Sequence, residues 1–316
     1  MKCNVHRDAF RSAAVVLVFA ALIVPSAHAQ MHFGGPARVP QQAGPLSLQS
    51  GAVPHQQLMP ALQMPLIGPA AIGTATTTNL FAQVAIGGGY TTIFTFLNTG
   101  LDAATGNLIL TGDLGAPLNA SFTSPGSPSA VNSSFPISVP SGGAQLITAG
   151  PVNASDPTST GWARVESSGG SLGGVATFQL AGPTGALTTI VGVLSAATTN
   201  AATIPVDDDL TQVTQSRSTG YAIANTGTSA INVKIVLVNP DGTISQTINP
   251  GLLNPLLPGN HIARFVWQDV SPSFVFKGSM VLIETAAQPF SVVALVFNQN
   301  LFTAIPVIPG KAPGIQ

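Results

Sequence analysis

The chain has 316 residues with 45% hydrophobic, 7% charged and 6% aromatic side chains, 33 Gly, 26 Pro and a formal net charge of −1. So small a charged fraction, far below the roughly 25% of ordinary soluble domains, leaves no basic footprint for a nucleic-acid backbone. The apolar content equally excludes a charged, disordered chain.

From the N-terminus, Lys2, Arg7 and Arg11 precede an apolar run from Ala13 to Val24, and Ala27-His28-Ala29 places small residues before a cut. This pattern predicts a signal peptide over 1–29, cleaved near Ala29, and hence a secreted chain: extracellular, periplasmic or at the cell surface. The apolar run is shorter than the roughly 20 residues a membrane helix needs, and no later stretch supplies an uninterrupted span. The single cysteine, Cys3, precedes the run and leaves with it, so neither a lipid acceptor nor a disulfide is expected. Removing the signal leaves 7 basic and 10 acidic side chains, too small an imbalance to steer partners.

Residues 30–78, with Pro36, Pro40, Pro45, Pro54, Pro60, Pro65 and Pro69 among Gln, Gly and Ala, show no apolar period and are expected to form a disordered leader. From Leu80 onward the apolar residues alternate with a period of two between Gly, Pro, Asn and Asp clusters, which predicts an all-β fold. The clearest strands are Thr92 to Leu97, Asn107 to Thr111, Ala144 to Thr148, Trp162 to Glu166 and Val175 to Leu180, then Tyr221 to Ala224, Ile231 to Val238, Ile262 to Trp267, Ser279 to Glu284 and Ser291 to Phe297. Asn239-Pro240-Asp241-Gly242 carries the residues of a tight turn.

The two sets of strands repeat. Asn98-Thr99-Gly100 falls on Asn225-Thr226-Gly227, and the same offset puts Leu108 and Leu110 on Ile235 and Leu237. A shorter offset places Pro140, Val152, Glu166 and Ala176 on Pro258, Val270, Glu284 and Ala294, and an Ile-Pro-Val tripeptide closes each half, at 204–206 and 305–307. The first copy is longer, with extra residues around Asn119 to Ser134 and between Leu180 and Thr203. Two tandem antiparallel β-sandwich domains are expected, at 79–206 and 207–308, followed by a tail at 309–316. Over roughly Phe81 to Pro309, the segments Phe81-Ala82-Gln83, Gly87-Gly88-Gly89-Tyr90-Thr91-Thr92, the Asn-x-Gly turn and the Ile-Pro-Val tripeptides resemble a group of secreted bacterial proteins with tandem β-sandwich (Ig-like) repeats. The resemblance implies fold and an extracellular location, and transfers no site residue. The Cys pair and core Trp of true immunoglobulin domains are absent.

Catalytic chemistry finds little material. His261 is the one histidine in the folded repeats, in a turn entering a strand, and an exposed-turn position is expected for it. No nucleophile elbow, zinc spacing or phosphate loop occurs, and Gly87-Gly88-Gly89 is expected to bend or reverse a strand. The chain therefore reads as a non-enzyme. Asp207-Asp208-Asp209, at the expected domain junction, could offer oxygen ligands to Ca²⁺, although consecutive strand residues point alternately and a solvated linker is the simpler reading.

The alternation of Trp162-Ala163-Arg164-Val165-Glu166 puts Trp162, Arg164 and Glu166 on one face. If the charged pair faces water, Trp162 does too, and becomes a stacking platform for a sugar ring. The aligned residue in the other copy is Met280, and the same face there holds Leu282, which leaves open that a loop or the other copy covers this face. The reading that results is a non-catalytic structural or adhesion-type protein of the cell surface or matrix; the alternative is a carbohydrate-binding module using Trp162. Polysaccharide or other surface proteins are the expected partners.

Overall fold

The computed structural model describes residues 77–211, 216–270, 275–298, 301–311 and 314–315, all within one compact unit. The expected signal peptide and nearly all of the expected leader lie outside the described residues. The chain is all-β. The first copy runs β1 (Thr77–Ile86), β2 (Tyr90–Asn98), β3 (Ala104–Gly112), β4 (Ala120–Ser124), β5 (Ser127–Asn132), β6 (Ser134–Val139), β7 (Ala144–Gly150), β8 (Ser159–Ser168), β9 (Leu172–Ala181) and β10 (Leu187–Leu194). The second runs β11 (Ala201–Asp209), β12 (Arg217–Ala224), β13 (Val233–Val238), β14 (Ile244–Ile248), β15 (His261–Phe265), the single helical turn α1 (Val266–Val270), β16 (Val275–Glu284), β17 (Ser291–Asn298), β18 (Leu301–Ile305) and β19 (Ile308–Pro309). All pairings are antiparallel.

Each copy makes two sheets. In the first they are β10-β9-β2-β7-β4-β5 and β1-β8-β3-β6. In the second, β18-β17-β12-β15 and β11-β16-β13-β14 repeat that pattern and are joined into one sheet by the single pair Asp209↔Arg217. The strands β4 and β5 have no equivalent in the second copy, and they occupy the stretch where the sequence shows extra residues. Phe81, Phe94 and Phe96 interlock at ring separations of 5.3 to 6.2 Å inside the first sandwich, and Tyr221, Ile204, Ile235 and Leu282 fill the second.

The sandwiches are not beads on a string. Both faces of β12 and β17 are buried: Tyr221, Ile223, Val292 and Ala294 point into their own copy, while Ala222, Ala224, Val293 and Leu295 join the core of the first. The sheets thus stack in four layers, with the β1-β8 sheet of one copy against the β12-β17 sheet of the other. Apolar side chains on both faces of these strands require such covering.

The Asn-x-Gly repeat has a physical cause. Asn98, fully buried, donates to the carbonyls of Asp102 (2.7 Å) and Val139 (3.0 Å) and accepts from the amides of Gly100 and Ser171 (both 2.9 Å). Asn225 repeats this with Ser229, Leu256 and Gly227. Gly87, Gly88 and Gly89 all have positive φ and reverse the chain between β1 and β2, as expected for a turn. A Cβ on Gly88 would meet the Thr158 hydroxyl.

Three expectations need correction. Ile204-Pro205-Val206 does not close the first copy: it lies within β11, which pairs with β16 as β1 pairs with β8, so it opens the second copy and the strand crosses the expected 206/207 junction. The strand expected through Trp267 ends at Phe265, because the Gln268 side chain accepts from the Phe265 amide and Asp269 reaches back to Arg264, winding the chain into α1. Finally, the copies align one residue differently along β8. Ala163 opposes Leu110 as Met280 opposes Leu237, so Trp162 corresponds to Ser279 rather than Met280. A one-residue slip exchanges the two faces of a strand.

Candidate functional site: an uncharged sheet face

Trp162, Arg164 and Glu166 do share a face, but that face is the one the second copy covers. Trp162 is only 3% exposed, and its indole Nε1 donates to the Gly259 carbonyl at 2.8 Å. Arg164 and Glu166, farther along the strand, stay partly exposed and bond to each other at 2.7 Å. The expected sugar platform is therefore corrected: alternation gave the face, and tertiary packing decided what touches it.

His261, expected in an exposed turn, is 4% exposed. Its Nδ1 donates to the Asp113 carboxylate at 2.8 Å, its backbone amide donates to the Asp113 carbonyl at 2.9 Å, and the Thr160 hydroxyl donates to the other carboxylate oxygen at 2.7 Å. Burial pushes the Asp113 carboxyl up, and the His261 hydrogen bond and charge with the Thr160 hydroxyl outweigh it, leaving it below its ordinary value. An Asp-oriented imidazole is half of a catalytic arrangement. Its Nε2, however, has no hydrogen-bond partner among the described residues, and the pair ties turn 113–116 of one copy to turn 258–261 of the other.

Asp207, Asp208 and Asp209 diverge rather than converge. Asp207 faces Arg217 at 3.1 Å and Lys277 at 3.9 Å, Asp209 accepts from the Thr211 hydroxyl and amide, and Asp208 turns inward to accept from the Thr219 amide at 2.6 Å. Among the described residues no group of three metal-ligating side chains gathers there or elsewhere, so the expected Ca²⁺ site has no geometry to support it.

Asp208 holds a core position. By strand pairing its equivalent in the first copy is Ile86, also buried. Burial, reinforced by the Asp207 charge, outweighs the Thr219 hydrogen bonds and pushes its carboxyl up to about 6 from 3.8. The unfolded chain then releases its proton near pH 3.8 while the folded chain keeps it to about 6, so folding weakens between those values and the slope vanishes above them. The loss is about 3 kcal/mol at 1.36 kcal/mol per pH unit. Asp208→Asn keeps an acceptor for the Thr219 amide and cannot ionise. Thermal midpoints from pH 4 to 8 are expected to show the variant gaining on the parent through pH 4 to 6 and holding a constant lead above; parallel curves would refute the assignment.

What the sequence candidates do not include is the outer face of the β10-β9-β2-β7-β4-β5 sheet. None of its six strands contains Asp, Glu, Lys or Arg. Their inward residues fill the core, and the outward ones are Thr91, Ile93, Thr95 and Leu97 on β2, Leu146 and Thr148 on β7, Val175 and Thr177 on β9, and Ile190 and Leu194 on β10. Leu97, Leu146 and Ile190 are each about half exposed, and Leu194 is 76% exposed. Threonine and β-branched residues stabilise such a pleated surface, but solubility would favour charge there. The signal was present in the sequence as a complete absence of charge from strands on one sheet; only the strand order reveals that they are neighbours. The opposite end of the stack differs: beside Val236, Val281 and Ile283, packed with Ile315, it carries Lys234, Lys277 and Asp207.

A groove of about 540 Å³ borders this face, between the end of β10 (Gly192–Leu194 with Ser195 to Ala197) and residues Ala304 to Val307. Its lining is uncharged. No helix among the described residues is long and apolar enough to cross a membrane. The chain matches no known family model, and neither a curated protein nor a solved structure is similar to it.

Proposed function

We propose that the chain is a non-catalytic, exported scaffold of the cell surface or extracellular matrix, and that it acts through the uncharged face of the β10-β9-β2-β7-β4-β5 sheet. The observation that carries this reading is the chargeless, half-apolar outer surface of six adjacent strands, presented at one end of the stack of sheets. Contiguous exposed apolar surface of this kind suits contact with another uncharged surface, whether a polysaccharide or a protein. The leader's composition and the basic-apolar-small pattern before Gln30 support export.

Adsorption of the full chain to insoluble polysaccharide and to alkyl-coated beads tests it. The double variant Leu97→Lys with Leu146→Lys puts two ammonium groups on the face without touching the core. Its retention is expected to fall about tenfold, the equivalent of 1.4 kcal/mol. Equal retention of parent and variant, or none by the parent on either support, would count against the reading.

A further inference from the structure

The open edge of the same sheet identifies a partner. A sheet edge presents unpaired amides and carbonyls, and proteins ordinarily guard it with proline, charge, irregularity or brevity. The other edge strands of this molecule are guarded in those ways. β5 contains Pro128 and β6 contains Pro136; β1, uncharged and ten residues long, shifts register between Phe81 and Val84 and has its Leu80 bridged by Ala196; β15 is five residues with Arg264; β14 is five residues with a register irregularity opposite it; β18 is five residues running into Pro306; β19 is two residues ending in Pro309. β10 is different. It has eight residues, Leu-Thr-Thr-Ile-Val-Gly-Val-Leu, with no proline and no charge, and it is regular from Thr189 to Leu194.

The geometry points to β10 as a self-pairing edge, where a second copy of this chain adds its own β10 antiparallel about a two-fold axis at Val191. That register is the one the side chains fit. It sets Ile190, half exposed, opposite Gly192 of the second copy, where the missing side chain leaves room for it, and Thr189 opposite Val193. The pairing is isologous, so each contact occurs twice. Beyond the irregularity, the Leu187 end of each strand arrives at the Ser195 end of the other, beside the uncharged groove lined by Val193, Ala196, Ile305 and Val307. Leu187 is 55% exposed, and the groove gives its side chain an apolar receptor. No charge on either strand opposes the approach, and the join would extend the uncharged face across two copies. This inference rests on the reading of that face as an interaction surface and adds the partner.

Sedimentation of the full chain across a concentration series decides it. The parent is expected to show a monomer–dimer equilibrium. Ile190→Lys places two like charges beside the axis and is expected to raise the dissociation constant at least about 100-fold. Leu187→Lys is expected to weaken it as well, and Leu97→Lys, on the same face but on β2, two strands in from β10, to leave it unchanged. Unaltered thermal midpoints show that these exposed substitutions leave the fold intact. A parent that stays monomeric to about 1 mM overturns the inference. So does association that Leu97→Lys abolishes and Ile190→Lys does not, which would mean stacking of faces. Adsorption to surfaces by a strictly monomeric chain would leave the proposed function standing while this pairing fails.

Discussion

Trp162→Ala is expected to lower the thermal midpoint of the full chain by about 10 °C, since removing a buried tryptophan costs about 4 kcal/mol and each kcal/mol shifts a unit of this size by roughly 2 to 4 °C. The side chain lies on the outer face of β8, where the second copy covers it, so its loss opens a cavity between the copies. It also removes the 2.8 Å bond to the Gly259 carbonyl, an acceptor at the same turn that holds His261. Trp162→Phe keeps most of the apolar area and loses the hydrogen bond, so its shift should be a fraction of that for alanine. Calorimetry distinguishes the two. A shift below about 2 °C for Trp162→Ala would mean that the two sandwiches do not depend on their shared face.

Asn98→Ala is the other large effect. The carboxamide uses its full capacity, two donors and two accepting lone pairs, on four backbone groups drawn from β2's own turn, the end of β6 and the start of β9. Alanine leaves all four without that partner, at about 4 kcal/mol for four bonds of about 1 kcal/mol each. Asn98→Asp is no rescue, because a carboxylate sets an acceptor against the Asp102 and Val139 carbonyls. Asn225→Ala, which removes three such bonds, is expected to cost less. Urea unfolding of the three variants gives the ranking, and an Asn225→Ala loss exceeding that of Asn98→Ala would contradict it.

Tyr221 and Asp269 show how one position is reused. Tyr221 pairs with Ala294 as Phe94 pairs with Ala176, so both rings fill equivalent core positions, as the repeat anticipates. The tyrosine adds a hydroxyl that donates to Asp269 at 2.6 Å, and Arg264 donates to the same carboxylate at 2.7 Å. Burial first, and then the Asp269 charge, push the Tyr221 hydroxyl well above its ordinary value, so it stays a donor. The network anchors α1, which the alternating pattern around Ile262 to Trp267 conceals.

The sequence by itself determined the all-β class, most of the central strands, the Asn239–Gly242 turn and the duplication, because alternation, turn residues and a buried Asn-x-Gly motif are local requirements that leave local marks. It also determined that charge is missing from one set of strands. What only the tertiary structure decided is which of two faces is covered. Trp162, Arg164 and Glu166 alternate identically whether they meet water or the second sandwich, and Asp208 occupies an isoleucine's position with nothing in its neighbours to mark it as interior. The alignment slip along β8 and the assignment of Ile204-Pro205-Val206 to β11 have the same origin. Strand partners lie tens of residues apart, and the hydrogen bonds that fix register join segments whose sequences carry no record of each other.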